Sequence, residues 1–144
     1  MNEIFPYSNI VAGILVLIVG FIFHWLGQLI SIIDWDIATK LGLQEKELPP
    51  EYKVYEHANA IADVAIGWLY GIAGFGLLLG VSWGYKLAWI PGAILLYHGI
   101  SFWFWNVNQR NSGHKLNSDT LRIGWTTANL ITGLLAITVA WNGS

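Results

Sequence analysis

Residues 11–23 read Val-Ala-Gly-Ile-Leu-Val-Leu-Ile-Val-Gly-Phe-Ile-Phe, without one polar side chain. The apolar run extends from about Ile10 to Ile33, broken only by single polar residues such as His24, Gln28 and Ser31. A helix needs about 20 apolar residues to cross the hydrocarbon of a bilayer, so this run predicts a membrane span. Met1 to Ser8 holds Glu3 and no Lys or Arg, and the run outlasts a signal-peptide core. It reads as a retained helix.

Three further runs follow, at about 58–80, 86–107 and 121–141. Pro49-Pro50 breaks the chain before the second, and residues 51–57 read as a helical extension of it outside the hydrocarbon. A short link, Gly80 to Tyr85, makes the second and third an antiparallel pair. Residues 108–120, rich in Asn, Ser, Gly and charge, form a loop with Ser118 or Asp119 as N-cap of the fourth helix. The runs lack the alternation of barrel strands. Only helices then satisfy the backbone inside lipid. The predicted fold is all-α: one domain, residues 1–144, as an antiparallel bundle of four transmembrane helices with long loops at 34–57 and 108–120. Composition agrees. Charged residues are 11% of the chain and apolar ones 55%, against about 25% charged in soluble domains.

Four spans put both termini on one side. That side has Lys86; the other has Lys40, Lys46, Lys53, Arg110, Lys115 and Arg122. Positive charge favours the cytoplasm, which predicts a cytoplasmic-membrane protein with both loops inside and both termini outside. Trp83, Trp89 and Trp141 then mark the outer interface, and Trp35, Trp105 and Trp125 the inner one. Asn142-Gly143-Ser144 matches a glycosylation acceptor on the outer side.

Several chemistries are excluded. Without cysteine there are no disulfides, iron–sulfur clusters or thiolate zinc sites. A net charge of −2 offers no basic surface for nucleic acid. Dinucleotide, phosphate-loop, Gly-x-Ser-x-Gly and His-Glu-x-x-His motifs are missing.

The remaining signal is polar residues inside the spans. Hydrocarbon penalises unpaired polar groups by several kcal/mol, so they must face the bundle interior. Helical phase places His24, Gln28 and Ser31 beside the Gly13, Gly20, Gly27 face of the first span. Asn59, Asp63, Gly67 and Tyr70 share a stripe on the second, His98, Ser101, Trp105 and Asn108 on the third, and Arg122, Thr126, Asn129 and Gly133 on the fourth. His24, His98 and Asn129 come within about one turn of the bilayer centre at 1.5 Å per residue. The expected result is a polar funnel open toward the loop side. Asp63, the one acid well inside a span, is expected to pair with Arg122 or His57, to hold a ligand, metal or substrate amine, or to relay protons.

Three functional readings compete. In the leading one the bundle binds or transports a small hydrophobic molecule, such as a quinone, sterol, lipid or pigment. The contacts would be Asp63, His24, His98, Asn59, Asn129, Gln28, Tyr70 and Trp105. In the second, His24, His57, Asp63 and His98 hold a metal ion, or His24 and His98 are axial ligands of a haem, in a membrane enzyme or redox protein. In the third the chain is a structural or accessory subunit whose polar residues only join helices. The glycine faces suit helix contacts within the chain or in a homo-oligomer, besides the lipid bilayer itself.

Overall fold

Hydropathy decides the architecture, and the computed structural model shows it as four long helices. The structure describes residues 4–45, 48–114 and 117–143; Glu3, Lys46, Lys115 and Ser144, used above for the signal-peptide reading, the topology and the glycosylation acceptor, lie outside them. Helix α1 is Ser8–Ile33, α2 is Trp35–Lys40, α3 is Pro50–Leu78, α4 is Ser82–Asn111 and α5 is Asp119–Gly143. All but α2 are long and apolar enough to cross a membrane, and the described residues contain no strand. Large apolar side chains such as Ile18, Ile22, Phe75, Phe104, Ile131 and Leu134 point outward, while His24 and Asn129 point inward. That arrangement is stable only in a solvent less polar than the core. The protein is an integral membrane four-helix bundle.

The first span does not run on through Asp34 toward Lys40, as an uninterrupted helix would. Asp34 is extended (φ −151°, ψ 101°), and its carboxylate accepts from the backbone N–H of Ile37 at 2.9 Å. The side chain caps a new short helix, as Asp at an N-cap does. Ser118 does the same for α5, its Oγ accepting from Leu121 N at 3.1 Å.

The middle of α1, Val16–Leu26, is wound as a π-helix. Its buried residues explain the advantage. Ser8, Ala12, Val16, Gly20 and His24 are spaced by four. On an α-helix each such step overshoots the turn by about 40°, and the stripe would leave the interface. The wider π turn brings it back and keeps His24 inward.

The helices stand in a square. α1 touches α3 and α5, α4 touches α3 and α5, and α1 and α4 meet narrowly across the diagonal. Small residues allow this closeness. A Cβ on Gly13 would stand 2.8 Å from the carbonyl oxygen of Gly74, and one on Gly133 would stand 2.8 Å from that of Gly92. Gly20 is covered by the Tyr70 ring, and Gly67 and Gly71 by Trp25 and Phe21. These glycines are thus used inside the chain. The α3–α4 turn is set by Gly80, whose φ of +63° is in the left-handed region that favours a residue without Cβ. Just beyond it Gly84 lies against the backbone of Gly76.

Gly84→Ala forces backbone apart, whereas Gly124 faces open space. Overpacking of this kind costs about 1–3 kcal/mol. Thermal unfolding in detergent should show Gly84→Ala lowering the midpoint by several degrees while Gly124→Ala leaves it unchanged or slightly raised. Equal midpoints for the two variants would contradict this packing.

Candidate functional site

One polar side chain from each long helix meets at the centre of the square. His24 on α1 lies 2.6 Å from Asn129 Oδ1 on α5 through Nε2. His98 on α4 lies 3.2 Å from Asp63 Oδ1 on α3, also through Nε2. The imidazole rings stand 4.5 Å apart across the diagonal, tilted by 32°. The result is a continuous chain, Asp63–His98–His24–Asn129. Asn129 is wholly buried and His24 is 6% exposed, whereas the side chains of His98 and Asp63 keep 19% and 14% exposure. The chain is sealed on the α1–α5 side and reachable along the α3–α4 seam.

The hydrogen bonds fix orientations. Asn129 Nδ2 donates to the Trp125 carbonyl at 2.8 Å; a carbonyl only accepts, so Oδ1 must face His24. His24 therefore carries hydrogen on Nε2, and its neutral tautomer leaves Nδ1 as an acceptor. By the same logic His98 donates from Nε2 to the Asp63 carboxylate. Trp125 closes one side of His24 at 4.9 Å between centroids, and the Tyr70 ring lies 6.1 Å away on another.

Two groups beside this chain have no partner. Tyr70 is 2% exposed and Thr126 8%, yet Tyr70 OH and Thr126 Oγ1 bond to nothing among the described residues. Tyr70 sits two turns from Asp63 on the same α3 face. Its ring passes over Gly20, and helical side chains lean toward the N-terminal end, here toward Asp63. Thr126 sits one turn from Asn129 on α5. A buried hydroxyl left unsatisfied costs about 1–3 kcal/mol.

Other sequence-predicted residues lie elsewhere. Gln28 and Ser31 accept from Gln44 Nε2 at 3.2 and 3.1 Å, so the first loop folds back over the end of α1. Asn59 is half-buried on the α3 stripe between Glu56 and Asp63. Trp105 stands at the loop end, with Tyr52 edge-on at 5.2 Å and Tyr55 stacked at 6.3 Å. His57 is exposed and apart from the chain. Neither expected partner of Asp63 reaches it. Arg122 binds Asp119 at 3.1 Å with its guanidinium over the Trp103 ring, because Asp119 is one turn away on the same helix.

Metal and haem chemistry find little purchase in this geometry. Among the described residues no three His, Asp or Glu side chains group so as to hold an ion. A haem plane has no gap between rings 4.5 Å apart whose Nε2 atoms turn to Asn129 and Asp63.

Asn106 and Gln109, both buried on α4, went unread as interior residues. The His98, Ser101, Trp105 stripe borders the α3 seam, whereas the face toward α5 follows Gly92, Gly99, Asn106 and Gln109. The glycine spacing on α4 was the signal for that face. An apolar groove of about 360 Å³, lined by Phe21, Trp68, Gly71, Ile72, Phe75 and Trp83, opens on the outside of the bundle. It contains none of the polar chain. Comparison with family models, with curated proteins and with solved structures found no match.

The His24–Asn129 contact is a charge-free bond in a sealed interior. Interhelical couplings in membranes average about 0.6 and reach about 1.7 kcal/mol. A double-mutant cycle of His24→Ala and Asn129→Ala, read by reversible unfolding in mixed micelles, should give coupling near the upper end of that range. Additive losses would mean that the bond contributes nothing.

Proposed function

We propose that this membrane protein binds a small molecule with an apolar body and a hydrogen-bonding head. The head lodges beside the Asp63–His98–His24–Asn129 chain and reaches it along the α3–α4 seam from the loop end. The observation that carries this reading is the pair of buried, unpartnered hydroxyls of Tyr70 and Thr126 next to that chain. A purely structural bundle accounts for His24–Asn129 and Asp63–His98 as interhelical struts. It has no use for two hydroxyls that cost stability and join nothing, where Phe and Val would pack as well. Binding sites carry that kind of local cost, and bundle interiors are where four-helix proteins build them. The ligand head supplies the missing partners, and its body lies among aromatic side chains of the seam such as Trp105.

Mass spectrometry of the protein extracted in mild detergent tests the reading. The wild type should carry an additional bound mass. The Tyr70→Phe, Thr126→Val double variant should lose most of it while unfolding at the same or a higher temperature. Equal retention by both proteins, or lost mass in step with lost stability, would remove the ligand.

We also place the loop end in the cytoplasm, since Lys40, Lys46, Lys53, Arg110, Lys115 and Arg122 flank it against Lys86 at the other end. A reporter that is active only outside the cytoplasm should work when fused after Ser144 and fail when inserted at Ser112. The opposite pattern would invert the topology and the side from which ligand arrives.

A further inference from the structure

The first loop crosses the loop end of the square as a strap. It starts where α2 stops: Gly42 turns the chain with φ +74°, and Leu43 N bonds back to the Ala38 carbonyl at 2.9 Å. Leu43 then lies over Gly27 of α1. Gln44 Nε2 donates to Gln28 Oε1 at 3.2 Å and to Ser31 Oγ at 3.1 Å, and Ser31 beneath it is 1% exposed. One residue on, Glu45 Oε1 accepts from Asn117 Nδ2 at 2.9 Å, in the loop that joins α4 to α5. Asn117 is held in turn, its carbonyl accepting from Arg110 at the end of α4 at 3.4 Å. Glu45 also faces α3. Burial first, and the charge of Glu45 next, push the Glu56 carboxyl up to about 7. Gln44 and Glu45 together thus reach α1, the α4–α5 loop and α3. Those elements stand on different sides of the square, so the strap passes over the middle of the bundle end.

We infer that this strap is the gate of the interior: it lies closed over the loop end of the α3–α4 seam, and a ligand reaches the Asp63–His98–His24–Asn129 chain from water only when Gln44 and Glu45 let go. The inference rests on the ligand-binding reading above and deepens it by saying how entry is controlled. Three side-chain hydrogen bonds fasten Gln44 and Glu45. Breaking them unwinds no helix, and at the loop end water takes over each released partner, so the net loss is small. The same bonds inside the spans have no such replacement. The pivot is Gly42, where even a Cβ would meet nothing. α2 stays behind as the strap swings, because the Lys53 ammonium on α3 lies over Trp35 at 5.2 Å. Loops of this kind, tied by a few polar contacts to rigid helices, are the elements that open and close over binding sites.

The chain has no cysteine, so single thiols report access without background. Ser31→Cys puts a thiol directly under Gln44, Thr126→Cys puts one in the interior, and Ser112→Cys puts a reference on the exposed α4–α5 loop. Each whole protein, in nanodiscs open to water on both faces, is reacted with 2-hydroxyethyl methanethiosulfonate, a small neutral reagent. The thiols at 31 and 126 should react far more slowly than the one at 112. Adding Gln44→Ala or Glu45→Ala should speed both buried thiols by a common factor, about two- to tenfold for a lost fastening, with the reference rate and the unfolding midpoint unchanged. Glu45→Gln keeps an acceptor for Asn117 and should keep the slow rates. Asn117→Ala removes the same bond from its other partner and serves if Glu45→Ala does not fold. Faster reaction at 31 alone would mean that the strap covers only the end of α1, and would overturn the gate. Unchanged rates at both thiols would overturn it too and direct entry through the bilayer between helices. Glu45→Gln reacting as fast as Glu45→Ala would overturn the role of the Asn117 bond as a fastening. No ligand takes part in the labelling, so the bound-mass comparison of the Tyr70 and Thr126 variant decides the broader reading separately.

Discussion

Lipid hydrocarbon offers no hydrogen bonds, and that single property orders this molecule. It requires every span to be a helix, because a helix satisfies its own backbone. It also favours in-span polar side chains that find a partner on another helix. His24 finds Asn129, His98 finds Asp63, and the two imidazoles meet across the diagonal of the square. Four helices that gain little from burying apolar surface against one another are held in register by one polar chain at their centre. The glycines let the backbones come close enough for those short side chains to touch.

The same property grades the interior polar residues by how fully they are bonded. A strut is a satisfied pair, and His24–Asn129 fits that description: sealed, oriented by the Trp125 carbonyl and wholly out of reach. Asp63–His98 differs. It lies at the inner end of a seam and keeps some exposure, and among the described residues no lysine or arginine is paired with it. Tyr70 and Thr126 differ further, since they are buried and bonded to nothing described. Satisfied and unsatisfied polar groups thus lie side by side in this interior.

Much of the fold was legible because hydropathy is additive along a chain. Four runs of about twenty apolar residues leave no other architecture, and a period of 3.6 turned His24, Asp63, His98 and Asn129 inward before any coordinates were known. What phase alone does not supply is partner choice. Asp63 was expected to meet Arg122 or His57 by charge and depth. It meets His98, because Asp119 lies one turn from Arg122 and takes it first. The π winding of α1 was hidden as well, since residues Val16–Leu26 carry no proline or other break that marks a change of turn. Only the run of buried residues four apart hints at it. Gln28 was read by phase as interior, yet Gln44 from the first loop claims it. Loop residues have no period from which such a contact is read.

The orphan hydroxyls are the kind of feature that sequence reasoning cannot reach. A tyrosine at position 70 reads as a core aromatic with a polar tip, and whether the tip is bonded depends on ångström-scale placement. Once placed, it changes the question asked of the bundle. Burying Tyr70 and Thr126 without partners forfeits about 1–3 kcal/mol each, in a protein whose helices associate through small margins. Phenylalanine and valine fill the same space without that loss, so stability alone does not account for the hydroxyls.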